Sequence, residues 1–126
     1  YALHNAVCRG ARMILSVPCC QHELNGQIAS DRLRLITRYG IIKERFAALM
    51  TDAIRANLLE SRGYKTQVLE FVDLSHTPKN LLIRAIKKRP ALDNAGRIAL
   101  DEAKALMDEF SLEPTLYSLL YPHSAD

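Results

Sequence analysis

The residues with the widest chemical reach lie close together: Cys19, Cys20, Gln21, His22, Glu23 and Asn25, immediately after Pro18. A thiolate beside an imidazole can serve as a nucleophile, because the imidazole makes the thiol easier to ionise. Thiolate and imidazole are also zinc's preferred donors, so a Cys-Cys-x-His run supplies suitable atoms for that ion. The spacing speaks against both. No C-x-x-C pair is present, vicinal cysteines chelate one ion awkwardly, and Cys8 lies on a helix ahead of the cluster. No metal site is assigned. The structural alternative is that Cys19 packs as a small hydrophobe while its polar neighbours cap the next segment. A second polar stretch, Asp73 to Asn80, contains His76, Thr77, Lys79 and Asn80. Lys79 and Asn80 suit either an anionic group or the loop's own backbone.

Both clusters follow strand-like runs. Ala11 to Val17 is apolar on alternating and intervening positions alike, which suits a central parallel strand covered on both faces. Pro18 ends it. Lys65 to Val72 holds Val68, Leu69, Phe71 and Val72 and predicts a second strand. Leu81 to Lys87 predicts a third, with Leu81, Ile83 and Ala85 on one face and Arg84 opposite. The eight residues between these two leave no room for a crossover helix, so they should pair as an antiparallel hairpin. The first and second strands should run parallel through a right-handed crossover. Their carboxyl ends then share one sheet edge, where ligands collect in open α/β sheets.

The helices frame this sheet. Residues 1 to 9 suit a short helix stopped by Gly10. Residues 30 to 38 suit another. From Gly40 to Arg62-Gly63, the positions Ile42, Phe46, Leu49, Ala53, Ile54 and Leu58 form a stripe at helical spacing that should face a core. Asp52 and Arg55 on that helix read as a surface pair. Asn94 to Phe110 predicts the last long helix, and the tail with Leu112, Leu116, Leu119 and Leu120 is apolar enough to dock.

Composition bounds the class. At 126 residues the chain is one domain or part of one. A net charge of +3 is mild, and the cluster Arg84, Lys87, Lys88 and Arg89 reads first as a solvated strand end. No apolar run reaches the roughly 20 residues of a membrane span, so no membrane partner is expected. Three cysteines, two of them adjacent, make poor disulfide material and fit a reducing, cytoplasmic setting. The opening Tyr1 falls inside a helical pattern, which suggests that sequence continues upstream. His4 and His123 should face solvent.

Three motifs carry a resemblance. Val17-Pro18-Cys19-Cys20-Gln21-His22-Glu23-Leu24-Asn25, Leu49-Met50-Thr51-Asp52-Ala53-Ile54-Arg55-Ala56 and His76-Thr77-Pro78-Lys79-Asn80-Leu81-Leu82-Ile83-Arg84-Ala85 resemble, in that order, a bacterial family of S-adenosylmethionine-dependent methyltransferase-like proteins. More loosely they resemble eukaryotic members with a cysteine pair at the same strand end, among them a tRNA ribose methyltransferase. The resemblance spans residues 1 to about 88. It implies an α/β chain: the C-terminal half of a Rossmann-like class I methyltransferase sheet, ending in an antiparallel β-hairpin with flanking helices. The single partial domain is residues 1–126, and the half with the glycine-rich cofactor loop would precede it. S-adenosylmethionine is the implied cofactor of the whole protein, and these 126 residues, which contain no G-x-G-x-G loop, should not bind it tightly alone. On this reading Cys20, Gln21 and His22 are the catalytic candidates, Pro18 and Cys19 border the cofactor, and Thr77, Lys79 and Asn80 hold the acceptor. RNA is the acceptor class suggested. The alternative is a non-catalytic Rossmann-like module for binding or assembly. An unpaired edge on the first strand would favour a homodimer or a swapped assembly.

Overall fold

A computed structural model describes residues 1–17, 33–71 and 80–122. Its elements in order are α1 (Ala2–Cys8), β1 (Met13–Ser16), α2 (Arg34–Arg38), α3 (Gly40–Ser61), β2 (Tyr64–Phe71), β3 (Asn80–Lys87), α4 (Asn94–Phe110) and α5 (Thr115–Leu120). The architecture is mixed α/β, a three-stranded antiparallel sheet with flanking helices.

The expected hairpin forms. β2 and β3 pair antiparallel from Tyr64 opposite Lys87 to Phe71 opposite Asn80. The strand order is β1-β3-β2, so β3 lies between the two strands expected to run parallel. β1 also pairs antiparallel with β3, Met13 opposite Ile86 through Ser16 opposite Ile83. β1 and β2 therefore point the same way without touching. Among the described residues β1 has β3 as its only partner and is an edge strand.

β1 is covered on one face only. Ile14 is buried, whereas Met13 is 53% exposed and Leu15 61% exposed. The sequence pattern implied two covered faces; the described elements cover one. Ile14 joins Ile83, Ala85, Tyr64, Val7 and Leu59 in a core between the sheet, α1 and the end of α3.

A second core lies on the other side of α3. Ala47, Met50, Ile54 and Leu58 recur at three and four, and they meet Leu100, Ala103, Met107 and Phe110 of α4 and Leu116 of α5. Phe46 and Phe110 pack edge to face, 5.7 Å between centroids. Burying one such aliphatic side chain contributes about 1.5–3 kcal/mol. The core-facing stripe of α3 is thus rotated from the expected one. Ile54 and Leu58 belong to it, but Ile42, Leu49 and Ala53 are exposed. α3 is a central helix with α4 on one side and the sheet on the other, and its first half reaches past the sheet contact.

The corners are fixed by named contacts. Gly10 and Gly63 take positive φ, +69° and +92°, after α1 and α3. At Gly63 a side chain would collide with the backbone of Arg89. Asp93 caps α4, its Oδ1 accepting the Gly96 N–H at 2.8 Å. The apolar tail docks as expected, with Leu112 and Leu116 buried.

Candidate functional site

The strand register defines the edge at which chemistry was sought. Ser16 of β1 and Val68 of β2 lie on opposite sides of the same residue, Ile83, and Phe71 ends β2 opposite Asn80. The carboxyl ends of β1 and β2 therefore share one edge of the sheet. The strands are two spacings apart, about 10 Å, rather than adjacent, and β2 runs three residues, about another 10 Å, beyond the level of Ser16. Pro18, Cys19, Cys20, Gln21, His22, Thr77 and Lys79 lie outside the described residues. Asn80 is placed by its backbone, at the start of β3 on this edge.

Among the described residues α3 supplies the one buried acid, Asp52. A tight turn at Arg62 and Gly63 joins α3 to β2, so the helix runs back along the sheet. Asp52 stands nine residues before Ser61, about 14 Å at ~1.5 Å per residue. Val68 stands four residues after Tyr64, about 13 Å along its strand. Asp52 is therefore about level with Val68 and Ser16. It is 1% exposed, and Arg55 Nη1 lies 3.6 Å from its Oδ1. The pair read as superficial is thus anchored on a buried carboxylate. Beside it, the Thr51 hydroxyl donates to the Ala47 carbonyl at 2.7 Å and stays within the helix.

Two further sets of candidates resolve differently. His4 and Cys8 meet on α1, Nε2 to Sγ 3.3 Å. Neither was paired in the sequence reading, although a four-residue spacing on a helix was the available signal. The basic cluster is mostly engaged within the fold. Arg84 donates to Gln67 Oε1 at 3.0 Å. Lys87 donates to the Arg62 carbonyl and stands over the Tyr64 ring, 5.1 Å from its centroid. Arg89 pairs with Glu60 at 3.3 Å and Asp93 at 3.0 Å. The strand end read as solvated is thus tied into the fold by three of its four cations. Burial raises the Tyr64 pKa from its ordinary value, partly opposed by the Arg62 charge, and its hydroxyl donates to the Ala11 carbonyl at 2.6 Å.

No group of three or more His, Cys, Asp or Glu side chains among the described residues is arranged to hold a metal ion. No helix among them is long and apolar enough to cross a membrane. Scans against models of known families, against characterised proteins and against solved structures return no significant match.

Proposed function

We propose that this chain is the C-terminal half of a Rossmann-like, S-adenosylmethionine-dependent methyltransferase whose acceptor is RNA. One observation carries most of the weight: β1 and β2 point the same way and end at one edge, and an antiparallel hairpin finishes the sheet. The resemblance calls for the closing hairpin, and the shared edge brings the attachment points of the Pro18 and Thr77 segments to the same side.

The cofactor itself does not fit the described residues. The glycines stand singly at positions 10, 26, 40, 63 and 96, so no backbone cradle for a nucleotide is built from them. The roles left to this chain are orientation and proton handling, which suffice for its share of a methyl displacement. Gln21 or His22 positions the acceptor, with Cys20 beside them, and the His22 imidazole is the group able to receive its proton. Pro18 and Cys19 border the methyl donor. Thr77, Lys79 and Asn80 form the far wall, where the Lys79 cation suits an RNA phosphate. The buried Asp52 carboxylate is about level with this edge, on the helix that backs it.

The lack of a glycine-rich loop in these residues favours a second reading, a non-catalytic Rossmann-like module for binding or assembly. Calorimetry separates the two. A protein joining this chain to an upstream glycine-rich half should bind S-adenosylmethionine, and its His22→Ala and Cys20→Ser variants should lose methyl transfer to RNA. Binding with transfer unchanged in both variants contradicts the assigned roles. Absence of binding contradicts the enzyme.

A further inference from the structure

The two outer edges of the sheet are finished differently. The Lys87 N–H donates to the Arg12 carbonyl at 2.8 Å. In an antiparallel ladder hydrogen-bonded and non-bonded pairs alternate. Arg12, Ile14 and Ser16 therefore bond inward to β3, and Met13 and Leu15 turn their N–H and C=O groups to the outside. On β2 the outward amide of Thr66 is already taken, donating to Glu60 Oε1 at 2.7 Å. Among the described residues nothing comparable covers Met13 or Leu15.

We propose that the outer edge of β1 is a self-association surface, on which a second copy of this chain adds its own β1 antiparallel. The occupant follows from the strand itself. An exposed edge recognises extended backbone by its alternating donors and acceptors. Centred on Ile14, the pattern is its own complement: Met13 of one copy meets Leu15 of the other, and Leu15 meets Met13. The two exchanges give four N–H to C=O bonds, the reciprocal geometry of a twofold interface. Residues 13 to 17 carry no charge, so two identical edges approach without repulsion. The side chains of Met13 and Leu15 are exposed on the sheet's open face. There they would join their counterparts in one apolar band across a sheet ordered β2-β3-β1-β1-β3-β2. On the methyltransferase reading an upstream half would supply the strand at this edge, so the two readings compete there, and a monomeric native chain overturns this one alone.

Sedimentation equilibrium of the 126-residue chain tests it, alongside Leu15→Lys and Leu69→Lys. Leu69 lies on the same open face, 41% exposed, but on β2. Far-UV circular dichroism checks that both variants are folded. The expected result is a dimer for the native chain and for Leu69→Lys, and a monomer for Leu15→Lys. A monomeric native chain overturns the proposal. So does a dimer that survives Leu15→Lys, or one lost in both variants, which would mean stacking through the open face.

Discussion

The two edges of one small sheet show opposite ways of ending a hydrogen-bond ladder. At β2 a side chain closes it. Glu60, from the last turn of α3, accepts the Thr66 N–H with one carboxylate oxygen and faces Arg89 with the other, 3.3 Å away. Arg89 also reaches the Glu60 carbonyl at 3.1 Å and Asp93 at 3.0 Å, and Asp93 caps α4. One run of charges thus takes one outward amide of that edge and ties α3, the end of β3 and the start of α4 together. At β1 the sequence Met13-Ile14-Leu15 offers apolar side chains and no charge. A charge on the solvent side of an edge discourages a further strand; an apolar, uncharged edge invites one.

The largest change should come from breaking the sealed corner itself. Gly63→Ala places a side chain at φ +92° and against the Arg89 backbone, whose amide bonds the Gly63 carbonyl. Strain of this kind costs on the order of 3 kcal/mol, read as a lower urea midpoint with an unchanged slope.

Removing the carboxylate sharpens the comparison. Glu60→Ala leaves the Thr66 amide and Arg89 short of an acceptor, a charge-assisted loss of about 1–2 kcal/mol at this partly exposed site. It also uncovers the β2 edge, so species larger than a dimer should appear in sedimentation velocity. Loss of stability without larger species would show that Glu60 serves the fold and not the edge.

A smaller effect tests the buried side of the same strand. Tyr64 has a folded-state pKa raised above its ordinary value of about 10. Below that pH both folded and unfolded states hold the proton, and the group adds no pH dependence. Above it the unfolded state ionises first, so stability falls as pH rises toward the folded value. Tyr64→Phe should remove that alkaline slope in urea titrations. It should cost about 1 kcal/mol at neutral pH through the lost bond to Ala11.

Much of the fold was legible. The helices at Gly40–Ser61 and Asn94–Phe110 were marked by helical apolar spacing and, for the first, by Gly63 after it. The hairpin followed from a loop too short to cross over. Strand order was not legible, because no local pattern says that β3 will insert between β1 and β2. Nor was the true inner face of α3: Ala47 and Met50 are buried where Ile42 and Leu49 are not, since two layers rather than one compete for the helix. The burial of Asp52 hides in a motif that reads as an ordinary surface ion pair. Glu60 and Thr66 meet around a turn, six residues apart, where helix and strand periodicities give no guide. Of the site, the shared edge was foreseeable from strand direction; its central residues Cys19, Cys20, Gln21 and His22 belong to the segment outside the described residues.

Amide hydrogen exchange read residue by residue tests the contrast between the edges most directly. Thr66 should be protected at every protein concentration. Met13 and Leu15 should exchange fast in dilute solution and become protected as concentration rises, while Ile14 stays protected throughout. Equal, concentration-independent exchange at Thr66, Met13 and Leu15 would contradict the account.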